Sequence, residues 1–217
     1  MPKIFAGIKE LLFPKRCFFC SAYGAFLCAD CQSLMDISPV HRRDKTKKYL
    51  SDIYSPCAYE NPRVKKIIHA FKYEPFCREL ALPLAKIIAG HFSLCGQNPK
   101  GFNLVFVPLA NKRMRGRGFN QARDLAEKLS AIWQIPLCDS LVKIKETACQ
   151  AELSQRQRME NLRGAFICEN KKAVAGKKIF LIDDVATTGA TMEECAKVLK
   201  YAGAKEIVGI CIARTQG

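Results

Sequence analysis

The sequence predicts an α/β protein, a mainly parallel sheet with helices on both faces, preceded by a small N-terminal module. Three observations predict it. From residue 50 onward, short apolar runs alternate with longer stretches of helical period. Polar, glycine-containing loops follow the apolar runs at 104–108 and 179–182, and four cysteines crowd into residues 17–31. The 217 residues are 49% hydrophobic and 25% charged, which suits a chain that buries a core and excludes a disordered or fibrous one. The expected division is 1–48 for the N-terminal part and 49–217 for the α/β part.

In chain order, "KIFAGIKELLF" sets Ile4, Phe5, Ile8, Leu11 and Leu12 on one helical face, and Pro14 ends it. Such a helix either packs on its own protein or docks on a membrane surface or partner. Next, "RCFFCSAYGAFLCADC" places Cys17, Cys20, Cys28 and Cys31 as C-x2-C-x7-C-x2-C. Each C-x2-C turn brings two thiolates to one ion, and four complete the tetrahedron of a structural Zn2+ site; redox thiols are the competing reading. No secretory leader pattern opens the chain, so reduced thiols and a cytoplasmic location are expected. No apolar run approaches the roughly 20 residues of a spanning helix, so any membrane contact is expected to be peripheral, at the inner face. The charge run "HRRDKTKK", 41–48, reads as a solvated linker. The remaining cysteines and the three histidines have no companions at ligand spacing and are assigned no chemistry.

Beyond the linker, "SDIYSPCAYE" reads as a strand and "PRVKKIIHAFKYE" as a helix with Pro62 at its first position. "ELALPLAKIIAGHF" reads as a helix bent by Pro83, "LVFVP" as a buried strand, and "FNQARDLAEKLSAIW" as a helix with apolar residues at 119, 122, 125, 126, 129, 132 and 133. "KKIFLID" is a strand, "MEECAKVLKYAGA" a helix stopped by Gly203, and "EIVGICIA" the last strand. In such a sheet ligands sit at the carboxyl ends of strands. Both "VPLANKRMRGRG" and "DDVATTGAT" leave carboxyl ends and are expected to meet at one edge.

The charge says what kind of ligand. Lys and Arg number 35 against 20 Asp and Glu, a net +15, which suits polyphosphate, nucleic acid or an anionic membrane face, or else is a diffusely basic surface. Residues 101–178 hold 15 Lys/Arg against 7 Asp/Glu, so much of the surplus flanks the two loops. In the second loop Ala186, Thr187, Thr188, Gly189, Ala190 and Thr191 lie between a strand and a helix, where backbone N–H groups converge at the positive end of the helix dipole. That is a phosphate cradle without the Walker lysine and without G-x-G-x-x-G. Asp183 and Asp184 can accept hydrogen bonds from two adjacent hydroxyls, as a ribose diol offers. In the first loop Arg113, Arg115 and Arg117 present guanidinium forks suited to pyrophosphate or a nucleic-acid backbone, while Asn120 and Gln121 either orient a ligand or cap the helix. "KIKETACQAELSQRQRMENLRG" is polar, basic and aperiodic, as a lid over an anion would be.

"IFLIDDVATTGAT" resembles the 13-residue signature of the type I phosphoribosyltransferases. "VPLANKRMRGRGFNQA" and "ETACQAELSQRQRMENLRGAF", behind a four-cysteine finger, are similar to the ComF (ComFC-type) family of competence proteins. The resemblance runs from Leu11 almost to the C-terminus. It implies 5-phosphoribosyl 1-pyrophosphate (PRPP) bound with Mg2+, Asp183 and Asp184 on the ribose, residues 186–191 on the 5-phosphate, and the Arg113, Arg115 and Arg117 loop on the pyrophosphate side. It also implies work in uptake of transforming single-stranded DNA, with Arg115, Arg117, Lys143, Lys145, Arg156 and Arg158 as candidate strand contacts and a competence DNA helicase as a partner. Phosphoribosyl transfer to an acceptor that no residue names, with Asp183 and Asp184 as the catalytic candidates, is one expectation. A non-catalytic, PRPP-regulated module that binds the strand or docks the helicase is the other. Any base-covering hood must come from residues 50–100, where Tyr54, Tyr59, Phe71, Tyr73 and Phe76 either stack on a base or belong to the core.

Overall fold

The computed structural model describes residues 14–38, 41, 47–73, 76–146 and 155–215. The helix expected before Pro14 and the stretch 147–154 of the expected lid lie outside them. The chain forms two compact units, Met1–Asp36 and Ile37–Gly217.

In the first unit, the backbone N–H of Cys17 donates to the Ala22 carbonyl at 2.8 Å, closing the first cysteine turn. A short helix, α1 (Ala29–Ser33), follows, with the Cys28 thiol capping its first turn. Cys17, Leu27, Cys31 and Met35 are the buried centre of this unit.

The second unit holds a four-stranded parallel sheet in the order β1 (Asp52–Tyr54), β8 (Glu206–Ile210), β6 (Lys178–Ile182), β3 (Phe102–Phe106). In β6 and β8 four consecutive residues are buried, which requires cover on both faces of the sheet. The helices provide it: α2 (Pro62–Lys72), α3 (Ala81–Leu94), α4 (Asn111–Arg117), α5 (Gln121–Trp133), α6 (Gln155–Leu162), α7 (Lys171–Val174) and α8 (Ala190–Tyr201). Pro62 stands at the start of α2 behind the Asn61 cap, and Gly203, at φ +94°, ends α8 as expected. A hairpin, β4 (Leu141–Lys143) with β5 (Phe166–Cys168), stands apart from the main sheet.

Four local expectations need correction. Pro83 does not bend its helix: it is the third residue of α3, in the first turn, where a missing N–H breaks no intrahelical bond. The strand expected over 51–60 is two strands, β1 and β2 (Cys57–Ala58), and "EIVGICIA" likewise divides into β8 and β9 (Ala213–Arg214). The second members belong to a separate parallel sheet, ordered β2-β9-β7, where β7 is Val185–Ala186. Three neighbouring chain stretches therefore step from one sheet to the next together. The basic loop after β3 is also not open coil, because residues 111–117 wind into α4. Finally, the segment read as a solvated linker is fastened at its end: Glu193 of α8 accepts from the backbone N–H groups of Lys48, Tyr49 and Leu50 at 2.7, 3.0 and 3.3 Å.

Candidate functional site

Asp183 and Asp184 are the step between β6 and β7. At that step the ladder is carried by single bonds, Asp183 N–H to the Ile210 carbonyl and Ile212 N–H to the Asp184 carbonyl, both 3.0 Å. Two carboxylates are thereby fixed side by side on backbone held from both sheets. Asp183 is half-buried and Asp184 buried, and the Asp184 N–H donates to Asp183 Oδ1 at 2.8 Å. Lys72, the last residue of α2, places Nζ 2.7 Å from Asp184 Oδ1. Burial, and then the Asp184 charge, push the Asp183 pKa up to about 7 against the weaker pull of Lys72 and Lys143. Burial works against the Lys72 charge, but the Asp184 carboxylate overcomes it and holds that ammonium above its ordinary range. One carboxylate is thus compensated and the other is not, and Asp183 is where hydroxyl donors or a cation would be best received.

The cradle follows directly. Ala186 is buried in β7; Thr187 is exposed, Thr188 half-buried, and Gly189 caps α8 at φ +70°. A Cβ on Gly189 would stand 3.0 Å from Lys47 Cε and 3.3 Å from Ile53 Cδ1, so conformation and space both demand glycine. Thr188 Oγ1 accepts from the Ala190 N–H at 3.3 Å, and its carbonyl accepts from Lys47 Nζ at 2.6 Å. Thr191 lies in the first turn of α8, where backbone N–H groups point out of the helix start.

The first loop arrives at the same edge because β3 and β6 are neighbours, with Val107 N–H donating to the Ile182 carbonyl at 2.9 Å. Asn120 resolves as a cap: its Oδ1 accepts from Ala122 and Arg123 N–H while its amide donates to the Val107 carbonyl at 3.1 Å. Gln121 is structural as well, donating to the Phe71 carbonyl and accepting from Arg117 Nη1, each at 3.1 Å. Arg117 lies 5.2 Å over the Tyr73 ring and Arg115 is exposed on α4. Lys143 stands in β4 within electrostatic reach of Asp183, and Lys145 is exposed just beyond it. Arg113 lies on α4 and Arg156 and Arg158 on α6, their side chains outside the described part. Of the aromatics weighed for a hood, Tyr54 and Phe71 are core, Phe76 is half-buried, and Tyr59 and Tyr73 line a cavity on α2. Sequence reasoning missed Lys72, Lys47 and Glu193. Each pairs with a residue more than a hundred positions away, which no local pattern announces.

In the N-terminal unit, one sulfur from each of Cys17, Cys20, Cys28 and Cys31 lies within 4.8 Å of all the others. Zn–S bonds of about 2.3 Å require sulfurs about 3.8 Å apart in a tetrahedron, so the donor set fits Zn2+. Burial opposes ionisation of Cys17, yet backbone N–H groups, Cys20's first, bring its pKa down to about 6; burial and crowding by the other thiols push Cys31 up to about 12. A single ion would relieve that crowding by displacing the protons.

Paired carboxylates followed by a glycine-capped helix start, at the carboxyl edge of a parallel sheet, point to a phosphoribosyltransferase fold. Residues 81–216 match the phosphoribosyl transferase domain family, and the chain belongs to it. Within it, the chain is a member of the ComF group of competence and DNA-utilization proteins. It is 33% identical over 162 residues to the DNA utilization protein YhgH of Salmonella typhimurium, covering 71% of this chain and 68% of that one. Competence protein F of Haemophilus influenzae is 39% identical over 106 residues, 48% of this chain and 46% of that protein, so the match spans about half of that relative. Competence protein ComFC of Streptococcus pneumoniae is 35% identical over 132 residues, 60% of this chain and 56% of that one. Among solved structures, the chain is similar to the Bacillus subtilis glutamine PRPP amidotransferase complexed with ADP and GMP, at TM-score 0.42 and 20% identity over 61% of this chain and 26% of that one. No described helix is long and apolar enough to cross a membrane.

Proposed function

We propose that this chain binds PRPP with Mg2+ at the Asp183–Asp184 step and serves, in the cytoplasm, the handling of single-stranded DNA taken up in natural transformation. The observation that carries the reading is the adjacent carboxylate pair, Asp183 and Asp184, set directly before the glycine-capped start of α8. Asp183 and Asp184 receive the ribose hydroxyls, residues 186–191 hold the 5-phosphate, and Lys72 with the α4 arginines faces the pyrophosphate. Mg2+, when bound with PRPP, supplies charge neutralisation for the leaving pyrophosphate; a carboxylate pair flanked by a phosphate site suits it, since Mg2+ takes one or two carboxylates and completes its shell with phosphate oxygens and water. The protein's own part is positioning: the ribose is fixed by groups on rigid strands while cationic character develops at C1, and the adjacent carboxylates favour that charge. The names of the relatives support the competence role, and the +15 charge suits both anionic ligands.

The test is calorimetric titration of PRPP, with and without Mg2+, into the wild type and Asp183→Ala/Asp184→Ala. Binding that needs both the metal and the carboxylates is expected. Unchanged affinity in the double variant overturns the assignment. Mg2+-dependent release of pyrophosphate on adding an acceptor would establish transfer rather than binding alone.

A further inference from the structure

The face of α2 that turns away from the core carries a second cluster, which neither loop explains. A cavity of about 390 Å3 opens there, walled by Tyr59, Lys65, Lys66, His69, Lys72 and Tyr73, and among the described residues no carboxylate lines it. Its rings are displayed rather than packed: Tyr73 is 49% exposed, the His69 ring is 4.9 Å from it, and Lys65 Nζ lies 5.9 Å from the Tyr59 centroid. The Arg117 guanidinium sits 5.2 Å from the Tyr73 centroid. Lys72 belongs to both places, being a wall of this cavity and the partner of Asp184.

Exposed rings interleaved with cations, in a concavity lined mainly by them, are what a base with its flanking phosphates recognises: every base has a face to stack, and lysines follow the backbone. We infer that the α2 cavity binds a nucleotide of a single strand, the base against Tyr73 and the neighbouring phosphates on Lys65 and Lys66. A free base would use the rings and leave those lysines idle. A duplex would keep its bases stacked on one another. Bound in this way, the strand lies one residue, Lys72, from the acidic step, so its base is presented to the ribose site. The inference rests only on the nucleic-acid part of the reading above. Failure of the PRPP titration leaves it standing, and its own failure leaves PRPP binding untouched.

The experiment is fluorescence anisotropy of a 5′-fluorescein-labelled dT20 with the full-length protein over a range of salt. Tyr73→Ala should weaken binding about tenfold, and Tyr73→Phe, which keeps the ring, should restore it. Lys65→Gln/Lys66→Gln should lower the slope of log affinity against log salt by roughly 1.4, two single-strand phosphate contacts. All three side chains are on the surface, so the fold should tolerate the changes. Wild-type affinity and slope in these variants, or no binding by the wild type, overturns the proposal. Competition by thymidine as strong as by unlabelled dT20 overturns the strand in favour of a free nucleoside.

Discussion

At the scale of single residues, the consequential fact is the difference between two adjacent aspartates. Asp184 has Lys72 2.7 Å away; Asp183, with burial and a like charge beside it, is pushed up to about 7. Two consequences have opposite signs. For stability, a carboxyl raised above its unfolded value favours the folded state most at low pH, and that contribution is lost as pH rises to about 7. Asp183→Asn should therefore raise the melting temperature at pH 8 more than at pH 5, and an equal shift at both would show that Asp183 titrates normally. For ligand, only the ionised form holds a cation and accepts from both hydroxyls with charge assistance, so PRPP affinity should fall as pH drops below about 7 and level off above it. The Asp183→Asn protein, titrated in parallel, subtracts the ligand's own ionisation and should lack this step. Lys72→Met removes the nearest opposing charge and should move the midpoint upward; an unmoved midpoint would assign Lys72 no part in setting it.

At the scale of elements, the device that holds the cradle is α8. Its N-terminus opens toward the phosphate site while Glu193, in its first turn, takes three backbone N–H groups from 48–50 and Lys47 reaches the Thr188 carbonyl. Glu193→Ala strands three donors and should lower the melting temperature by roughly 4–8 °C, with Glu193→Gln intermediate because one acceptor oxygen remains. A melting temperature unchanged in both would mean that the strap is held elsewhere. The sequence announced α8, its glycine cap and its stop, because capping and apolar period are local. It did not announce the strap: Lys47, Lys48 and Tyr49 carry no apolar period, and their partner lies about 145 residues on. The stepped strands were hidden for a related reason, since apolar composition continues across Cys211–Ile212 while hydrogen bonding changes sheets there. The acidic pair was readable because polar residues inside an apolar run are conspicuous. Lys72 was not, standing at the end of a helix whose pattern accounts for it as an ordinary polar position.

At the scale of the whole molecule, the two compact units have separate centres, four thiols in one and the β6–β8 core in the other. A metal that holds the first should be dispensable to the second. Cys17→Ser/Cys20→Ser should lose about one zinc per chain while PRPP binding persists; a full zinc complement in that variant would show the four-cysteine site to be wrong. Zinc affinity should fall as pH falls, because a thiol held near 12 surrenders its proton only to the metal. The sheet of the second unit carries one more consequence. Among the described residues, its first strand, β1, pairs with β8 alone, more than 150 residues later, and both Lys48–Leu50 and the acidic step wait on residues beyond 180. On the ribosome, then, residues 52–54 emerge well before their partner strand and wait for it until residues 206–210 have been synthesised. A chain halted before residue 206 would lack the strand that joins β1 to β6, and its two carboxylates would never be set side by side on a finished sheet.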